Sequence, residues 1–483
     1  MNITDPIRRC AQANPDAEAI IRPNGKAVSY GQLDRTIDFV AARVQGLGLA
    51  PGAIVGVRTD RPYRNLCCRL ALARLGICIA PLSMPAIATC LIDGAMPDEP
   101  GAKFERIDRL WPEDLAPATD VPEVPSHQDG AAVCAIFPTS GTTGIPKHVA
   151  ASHDLMARRI STIPSALRLP NDARLICTIG AGTGYGFLRR LTVLWNGGAI
   201  VMITHAAQIL PSIGRHRVNR LVMAPFALQR LLQGLPPDFG PPPSLQQIET
   251  GGSALPDRLY DIARQRLCAN IVSQYGAAEA GPVAVATMLS LQGHPGAVGY
   301  LYPGVEMQAV DADDQPLPPG TEGTLRVRSG GCASGYFDDP AASARVFRGG
   351  WVYPGDVGTV AGDGLVTVTG RSSEVINQGG VKINPQLIEN VLLSVPEIAE
   401  AAAFGVPDAL GLTRIWAAIV PSGPVDMSAV KALCREQLKN SAPASFLQLK
   451  ALPRNEFGKV LREPLQRKAI RASAKRVASA GNS

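Results

Sequence analysis

The chain has 483 residues, 46% hydrophobic and 18% charged, with a formal net charge of +6. That length exceeds one ordinary core and suits two or three domains. The balance excludes a disordered chain, and the modest charge gives no footing for nucleic acid. No apolar run reaches membrane-spanning length, and no apolar signal core follows the first residues, so a cytoplasmic location without a membrane span is expected.

From the start, Tyr30-Gly-Gln-Leu-Asp opens an amphipathic helix with Leu33, Ile37, Val40, Ala41 and Val44 on one face. Pro51-Gly52 then turns into the apolar strand Ile54–Val57, and a helix around 63–75 leads to Ile77-Cys-Ile-Ala80. That order predicts a βαβ-type layered sheet. Residues 96–130, rich in Pro, Asp and Glu, read as loop, and the stretch before Thr139 is poorly patterned. A strand at 131–137 follows, and strands alternate with helices to about residue 285. From 286 to 370 short strands and Gly/Pro/Asp turns predict a β-rich subdomain, and a smaller α+β segment fills 374–483. The fold expected is α/β, with a large N-terminal domain over 1–371 and a small C-terminal one. The ten cysteines show no Cys-x-x-Cys or Cys/His metal spacing and read as buried free thiols in a reducing compartment. The basic tail of Arg467, Lys468, Arg471, Lys475 and Arg476 reads as a solvated helix face.

The strand at 131–137 runs into Pro138-Thr139-Ser140-Gly141-Thr142-Thr143-Gly144-Ile145-Pro146-Lys147. Glycines let backbone N–H groups approach a polyphosphate, hydroxyls donate to its oxygens, and a lysine supplies charge. Pro146 separates the last glycine from the lysine, so this is not the Walker pattern. Other polar or glycine-rich segments follow: Gly251-Gly252-Ser253-Ala254, Ser273-Gln-Tyr275-Gly276-Ala277-Ala278-Glu279, Gly350-Trp-Val-Tyr-Pro354-Gly-Asp356 with Gly370-Arg371, Arg371 to Pro385, and Leu452-Pro-Arg-Asn-Glu-Phe-Gly458-Lys459.

In content and order these segments resemble the adenylate-forming, AMP-binding superfamily, and within it the acyl-CoA synthetase branch. The resemblance implies ATP, Mg²⁺ and coenzyme A as cofactors and co-substrates, and a carboxylic acid as the group activated. It places the ATP phosphates on Thr139, Ser140, Gly141, Thr142, Thr143, Gly144 and Lys147, with adenine and ribose on Gly251, Gly252, Ser253, Tyr275, Gly276, Asp356 and Arg371. Glu279 becomes the Mg²⁺ carboxylate, a hard oxygen ligand for a hard cation. Lys459 becomes the lysine that bridges carboxylate and α-phosphate during adenylation. The hinge falls near 372–373, at Ser373, and lets a mobile small domain rotate; Gly379 and Gly380 line the pantetheine passage. The acid pocket is expected at Tyr185, Gly186, Phe187 and Ala277. No aspartate stands near Thr178–Phe187 to pair an α-ammonium, so a neutral fatty or aryl acid is favoured over an amino acid. No carrier-protein domain follows Lys459 in this sequence, so the acceptor is expected from outside: free CoA, or a separate carrier protein. A homodimer is compatible with the sequence.

Ser373, where the family often has Asp or Lys, departs from the family pattern, and three further positions do so. Ala278 and Pro354 replace threonines, and His148 replaces the glycine after the loop lysine. They motivate a further reading, a non-catalytic homologue that binds nucleotide or acyl-adenylate. His153, at the start of the next helix, reads as a capping or packing residue.

Overall fold

The computed structural model of the chain describes all residues except 85, 88, 94–102, 107–121, 140–146, 379–380, 409–411, 455–458 and 481–483. The helix Tyr30–Gln45 forms where its pattern predicts. Ser29 accepts from the backbone N–H of Gln32 while the Gln32 side chain accepts from the Ser29 N–H, a reciprocal cap. Leu33, Ile37, Val40, Ala41 and Val44 are all fully buried on its inner face. Pro62–Arg74 packs against it as the second helix of this layer.

Two sheets carry the large part of the chain. The first has six strands, in spatial order Lys103–Arg106, Thr89–Ile92, Ile54–Arg58, Cys78–Ala80, Val133–Pro138 and His148–Ser152. All its pairs are parallel except the last, which is antiparallel. Residues 103–106 therefore form a strand inside a stretch that reads as loop. Their parallel ladder to Thr89–Ile92 supplies the order that composition does not.

The second sheet joins the parallel strands Glu18–Ile21, Ala199–Val201, Arg174–Cys177, Arg220–Met223, Gln247–Gly251 and Ile271–Ala277 to an antiparallel continuation. The switch is the pair Ile271–Ala277 with Gly281–Thr287. The expected β-rich region is thus not a detached layer: Ala297–Leu301, Leu365–Arg371 and Asp356–Val360 extend the same hydrogen-bonded sheet. Ligand clefts of open α/β sheets form at the carboxyl ends of parallel strands. Thr178, Gly251 and Tyr275 stand at or just past such ends.

The C-terminal segment builds its own core. The strands Ile398–Pro407, Thr413–Pro421 and Ser445–Gln448 pair in one sheet, with helices Pro385–Leu393 and Met427–Leu438 packed by Ile388, Leu392, Val430 and Cys434. All ten cysteines are free, and eight of them are buried. Among the described residues no helix is long and apolar enough to cross a membrane.

Ser152, not His153, caps the helix His153–Ser161 by accepting from Leu155 N–H. His153 is fully buried and its Nδ1 accepts from Ile3 N–H at 3.1 Å, so it packs rather than catalyses. Burial, reinforced by His127, depresses its pKa to about 4, while Asp5 and Asp154 oppose the shift. The unfolded chain takes up this proton near pH 6.5 and the folded chain only near 4. Stability is therefore full above about pH 6.5 and falls as pH drops toward 4, by on the order of 3 kcal/mol. Urea unfolding at pH 7.5 and 4.5 should show this loss. It should shrink in His153→Gln; an unchanged loss in the variant would assign it to other groups.

Candidate active site

The strand Val133–Pro138 delivers Thr139 to the sheet edge, and Thr139 N–H donates to the Lys147 carbonyl at 2.7 Å. That bond closes the base of the glycine- and hydroxyl-rich loop. Ser140, Gly141, Thr142, Thr143 and Gly144 lie outside the described residues. The Lys147 ammonium stands 4.9 Å over the ring of Tyr336, and the Tyr336 hydroxyl donates to Glu279 Oε1 at 2.6 Å. Three residues far apart in sequence thus form one contiguous polar cluster.

Glu279 is held from behind. Buried Arg159 donates to the carbonyls of Ala278 (2.9 Å), Glu279 (3.4 Å) and Gly331 (2.8 Å). Ala333 N–H also donates to the Glu279 carbonyl at 2.8 Å. Burial lowers the Arg159 pKa to about 10, which leaves it charged at neutral pH. The carbonyl clamp fixes the backbone at Ala278 without any need for a side-chain hydroxyl there.

The ring of Tyr275 is anchored by its hydroxyl, which donates to Asp356 Oδ2 at 2.5 Å. Arg371 Nε pairs with Asp356 Oδ1 at 2.9 Å, and the two residues face each other across the ladder of Asp356–Val360 and Leu365–Arg371. The simple alternative for this pair, a structural ion pair, is therefore present. It does not exclude a ligand role, because Arg371 keeps about a third of its side chain exposed. Burial pushes the Asp356 carboxyl up, against the pull of Arg371 and Tyr275. The Pro354 carbonyl accepts from Arg371 Nη1 at 3.3 Å.

Gly251 ends its strand and Gly252 takes φ +88°, where a side chain is strained. A Cβ at Gly251 would sit 2.9 Å from the Gln274 carbonyl and 3.1 Å from the Tyr185 hydroxyl. Tyr185 donates to Glu249 Oε1 at 2.6 Å, and Arg189 Nε bonds the same oxygen at 2.6 Å. Arg189 and Tyr302 both donate to Gln274 Oε1, at 2.8 and 2.5 Å. A buried ion pair therefore backs Tyr185. Phe187 departs from the expected pocket. It is 1% exposed, with its ring 6.0 Å from that of Phe137 in the main core, so it does not wall a pocket. Gly186 is also buried, closed off by the carbonyls of Ile179 and Gly180. Tyr185 and Ala277 are partly exposed. A cleft of about 960 Å³, lined by Thr178–Gly182, Phe226 and His205, borders this region without reaching Tyr275, Asp356 or Lys459.

Lys459 comes from the C-terminal segment. Its Nζ lies 2.7 Å from Glu374 Oε1, while Arg462 binds Glu374 Oε2 at 2.6 Å. Burial alone would raise the Glu374 carboxyl, but Arg462 and Lys459 together hold it below the usual carboxylate range. Lys459 is also near enough to Asp356 to favour its ionised form. Ser372 and Ser373 are exposed in the turn joining the two parts. Contacts across that division include Gln229 Nε2 to the Ala399 carbonyl at 3.3 Å and Arg454 over the Phe226 ring at 4.4 Å. Gly379 and Gly380 lie outside the described residues. Tyr336, Arg159, Glu249 and Arg189 carry no motif of their own, and only their partners' motifs point to them; Glu374 lies within the Arg371–Pro385 segment, which assigns it no role.

The model of the family described as AMP-binding enzyme matches residues 85–337, and that of the AMP-binding enzyme C-terminal domain matches 387–459. A fatty acid–acyl-carrier-protein ligase of Streptomyces coeruleorubidus is 28% identical, over 97% of this chain and 96% of its own. An indoleacetate–CoA ligase of Aromatoleum aromaticum is 27% identical, over 98% and 99%. Among solved structures, ATP-bound MatB from Rhodopseudomonas palustris superposes with a TM-score of 0.85 at 24% identity, covering 97% of this chain and 99% of that one. An o-succinylbenzoate CoA synthetase from Bacillus subtilis, in complex with its acyl-adenylate, gives 0.83 at 24%, covering 95% and 97%.

Proposed function

Since the chain belongs to the AMP-binding enzyme family, we propose that it activates a carboxylic acid as acyl-AMP and passes the acyl group to the thiol of coenzyme A. The observation that supports this reading is the ion pair of Lys459, on a separately cored segment, with Glu374, three residues beyond Arg371 of the Tyr275–Asp356–Arg371 cluster. A cation brought to a site that holds an aromatic ring, a carboxylate and a guanidinium is what adenylation requires.

In this account Asp356 accepts the ribose hydroxyls, Tyr275 offers its ring to adenine, and Gly251, Gly252, Ser253 and Gly276 leave room for the base. Thr139 and Lys147, with the loop between them, hold the phosphates. Arg371 donates to ribose or phosphate. Glu279 suits Mg²⁺, because one carboxylate completed by phosphate oxygens and water is that ion's usual protein site; when bound it neutralises polyphosphate charge. The substrate carboxylate oxygen attacks the α-phosphorus, and the bond to the bridging oxygen breaks with its electron pair leaving on pyrophosphate. Two like unit charges about 4 Å apart repel by roughly 4 kcal/mol at an effective dielectric near 20. The Lys459 ammonium offsets that repulsion as carboxylate and phosphate meet.

For the second step the domain beyond Ser373 rotates, withdrawing Lys459 and bringing the segment of Gly379 and Gly380 to the acyl group. The CoA sulfur attacks the carbonyl carbon, the C–O bond to AMP breaks, and the thiol proton passes to solvent. The acid is a neutral fatty or aryl one, bounded by Tyr185 and Ala277. Buried free thiols fit a cytoplasmic enzyme.

A carrier protein is the alternative acceptor, favoured by the carrier-protein ligase, 28% identical beside 27% for the indoleacetate–CoA ligase. Incubation with ATP, Mg²⁺ and a panel of aryl and fatty acids, followed by CoA or a phosphopantetheinylated carrier protein, separates the two. Acyl-CoA is expected. A thioester formed only on the carrier would move the protein to the other branch. Against the non-catalytic reading stand the intact Glu279, Asp356, Arg371 and Lys459.

A further inference from the structure

We propose that Tyr336 is a positioning residue that keeps the Glu279 carboxylate and the Lys147 ammonium apart and aimed for ATP and Mg²⁺; this rests on the roles given above to those two residues. The ring is fixed from several sides. Val149 and Tyr336 form an antiparallel bridge, and Phe337 N–H donates to the His148 carbonyl at 2.7 Å. Tyr336 N–H donates to Ser343 Oγ at 2.8 Å, and the ring meets Phe347 edge-on at 5.3 Å.

From that fixed ring two opposite charges are held at different faces. The hydroxyl proton is committed to Glu279 Oε1 at 2.6 Å, which orients the carboxylate and leaves its second oxygen for a cation. The Lys147 ammonium rests on the ring face, where the π-system attracts a cation without consuming a carboxylate. Without the ring, lysine and glutamate would be free to approach each other. Their ion pair would then compete with Mg²⁺ for one partner and with phosphate for the other. His148 belongs to the same device: its carbonyl ties the loop's exit strand to the Tyr336 segment, a job for which a histidine serves as well as a glycine.

The test is ATP binding to the full chain by titration calorimetry, without any acid, in EDTA and at several Mg²⁺ concentrations. In wild type Mg²⁺ should tighten ATP. Tyr336→Phe keeps the ring and loses the hydroxyl: the Mg²⁺-dependent gain should fall about tenfold, with affinity in EDTA within twofold of wild type. Tyr336→Leu loses the spacer as well and should also weaken ATP in EDTA. A Tyr336→Phe protein with the wild-type gain, or with equal losses in EDTA and Mg²⁺, would overturn the proposal. Glu279→Gln is the separate control. If it keeps the wild-type gain, the reading of Glu279 itself is wrong, and the Tyr336 proposal falls with it by a different result.

Discussion

Lys459→Ala should lower the rate of adenylate formation by at least 10²–10³-fold while leaving thioester formation from supplied acyl-AMP close to wild type. Loss of one donor that acts on transition-state charge typically costs about 2.7–4 kcal/mol, which is this factor. The selectivity between half-reactions follows from placement. Lys459 sits on the segment beyond Ser373, beside Glu374 and within electrostatic reach of Asp356, so it can be withdrawn once acyl-AMP has formed. Single-turnover acyl-AMP formation and acyl-AMP consumption with CoA, measured separately, check both halves. Equal losses in the two would contradict rotation of the C-terminal domain.

Asp356→Asn is expected to weaken ATP by roughly 10²-fold or more, with the KM for the acid little changed. The carboxylate side chain is 3% exposed, and it is the acceptor shared by Tyr275 and Arg371. Hydrogen bonds to a charged group contribute about 1.5–3 kcal/mol each, and the account assigns Asp356 two of them with ribose. The amide also leaves Arg371 without its carboxylate, so a fall in thermal stability should accompany the loss. Because Arg371 is a third exposed, water moderates that second cost. Competition between ATP and deoxyribose analogues reads the ribose contribution directly. If the variant discriminates them as wild type does, Asp356 does not bind ribose.

Much of the fold was legible because it is encoded locally. The apolar stripe from Leu33 to Val44 announces its helix by local pattern, and the cap at Ser29 and Gln32 is what the structure adds. The glycine- and hydroxyl-rich stretch from Thr139 to Lys147 stood out as a motif for the same reason, its residues being contiguous. The site's supports did not. Tyr336 meets Glu279 across 57 positions and Arg189 meets Glu249 across 60, and no spacing announces such a pair. Phe187 was misplaced by reading composition over periodicity. With Leu191 and Leu194 it falls at i, i+4 and i+7 of the helix Gly184–Trp195, and all three are buried. The continuity of the second sheet is likewise a matter of strand pairing, not of pattern. Short antiparallel strands read as a separate region until Ile271–Ala277 is seen to pair on both edges.

Acid-dependent exchange of labelled pyrophosphate into ATP reads acyl-adenylate formation by this chain without involving the acyl acceptor. The account predicts exchange with at least one fatty or aryl acid, dependent on Mg²⁺, independent of CoA, and reduced at least 10²-fold in Lys459→Ala. Absence of exchange with every acid of a broad panel, from protein that still binds ATP, would contradict it and leave a nucleotide-binding protein without turnover.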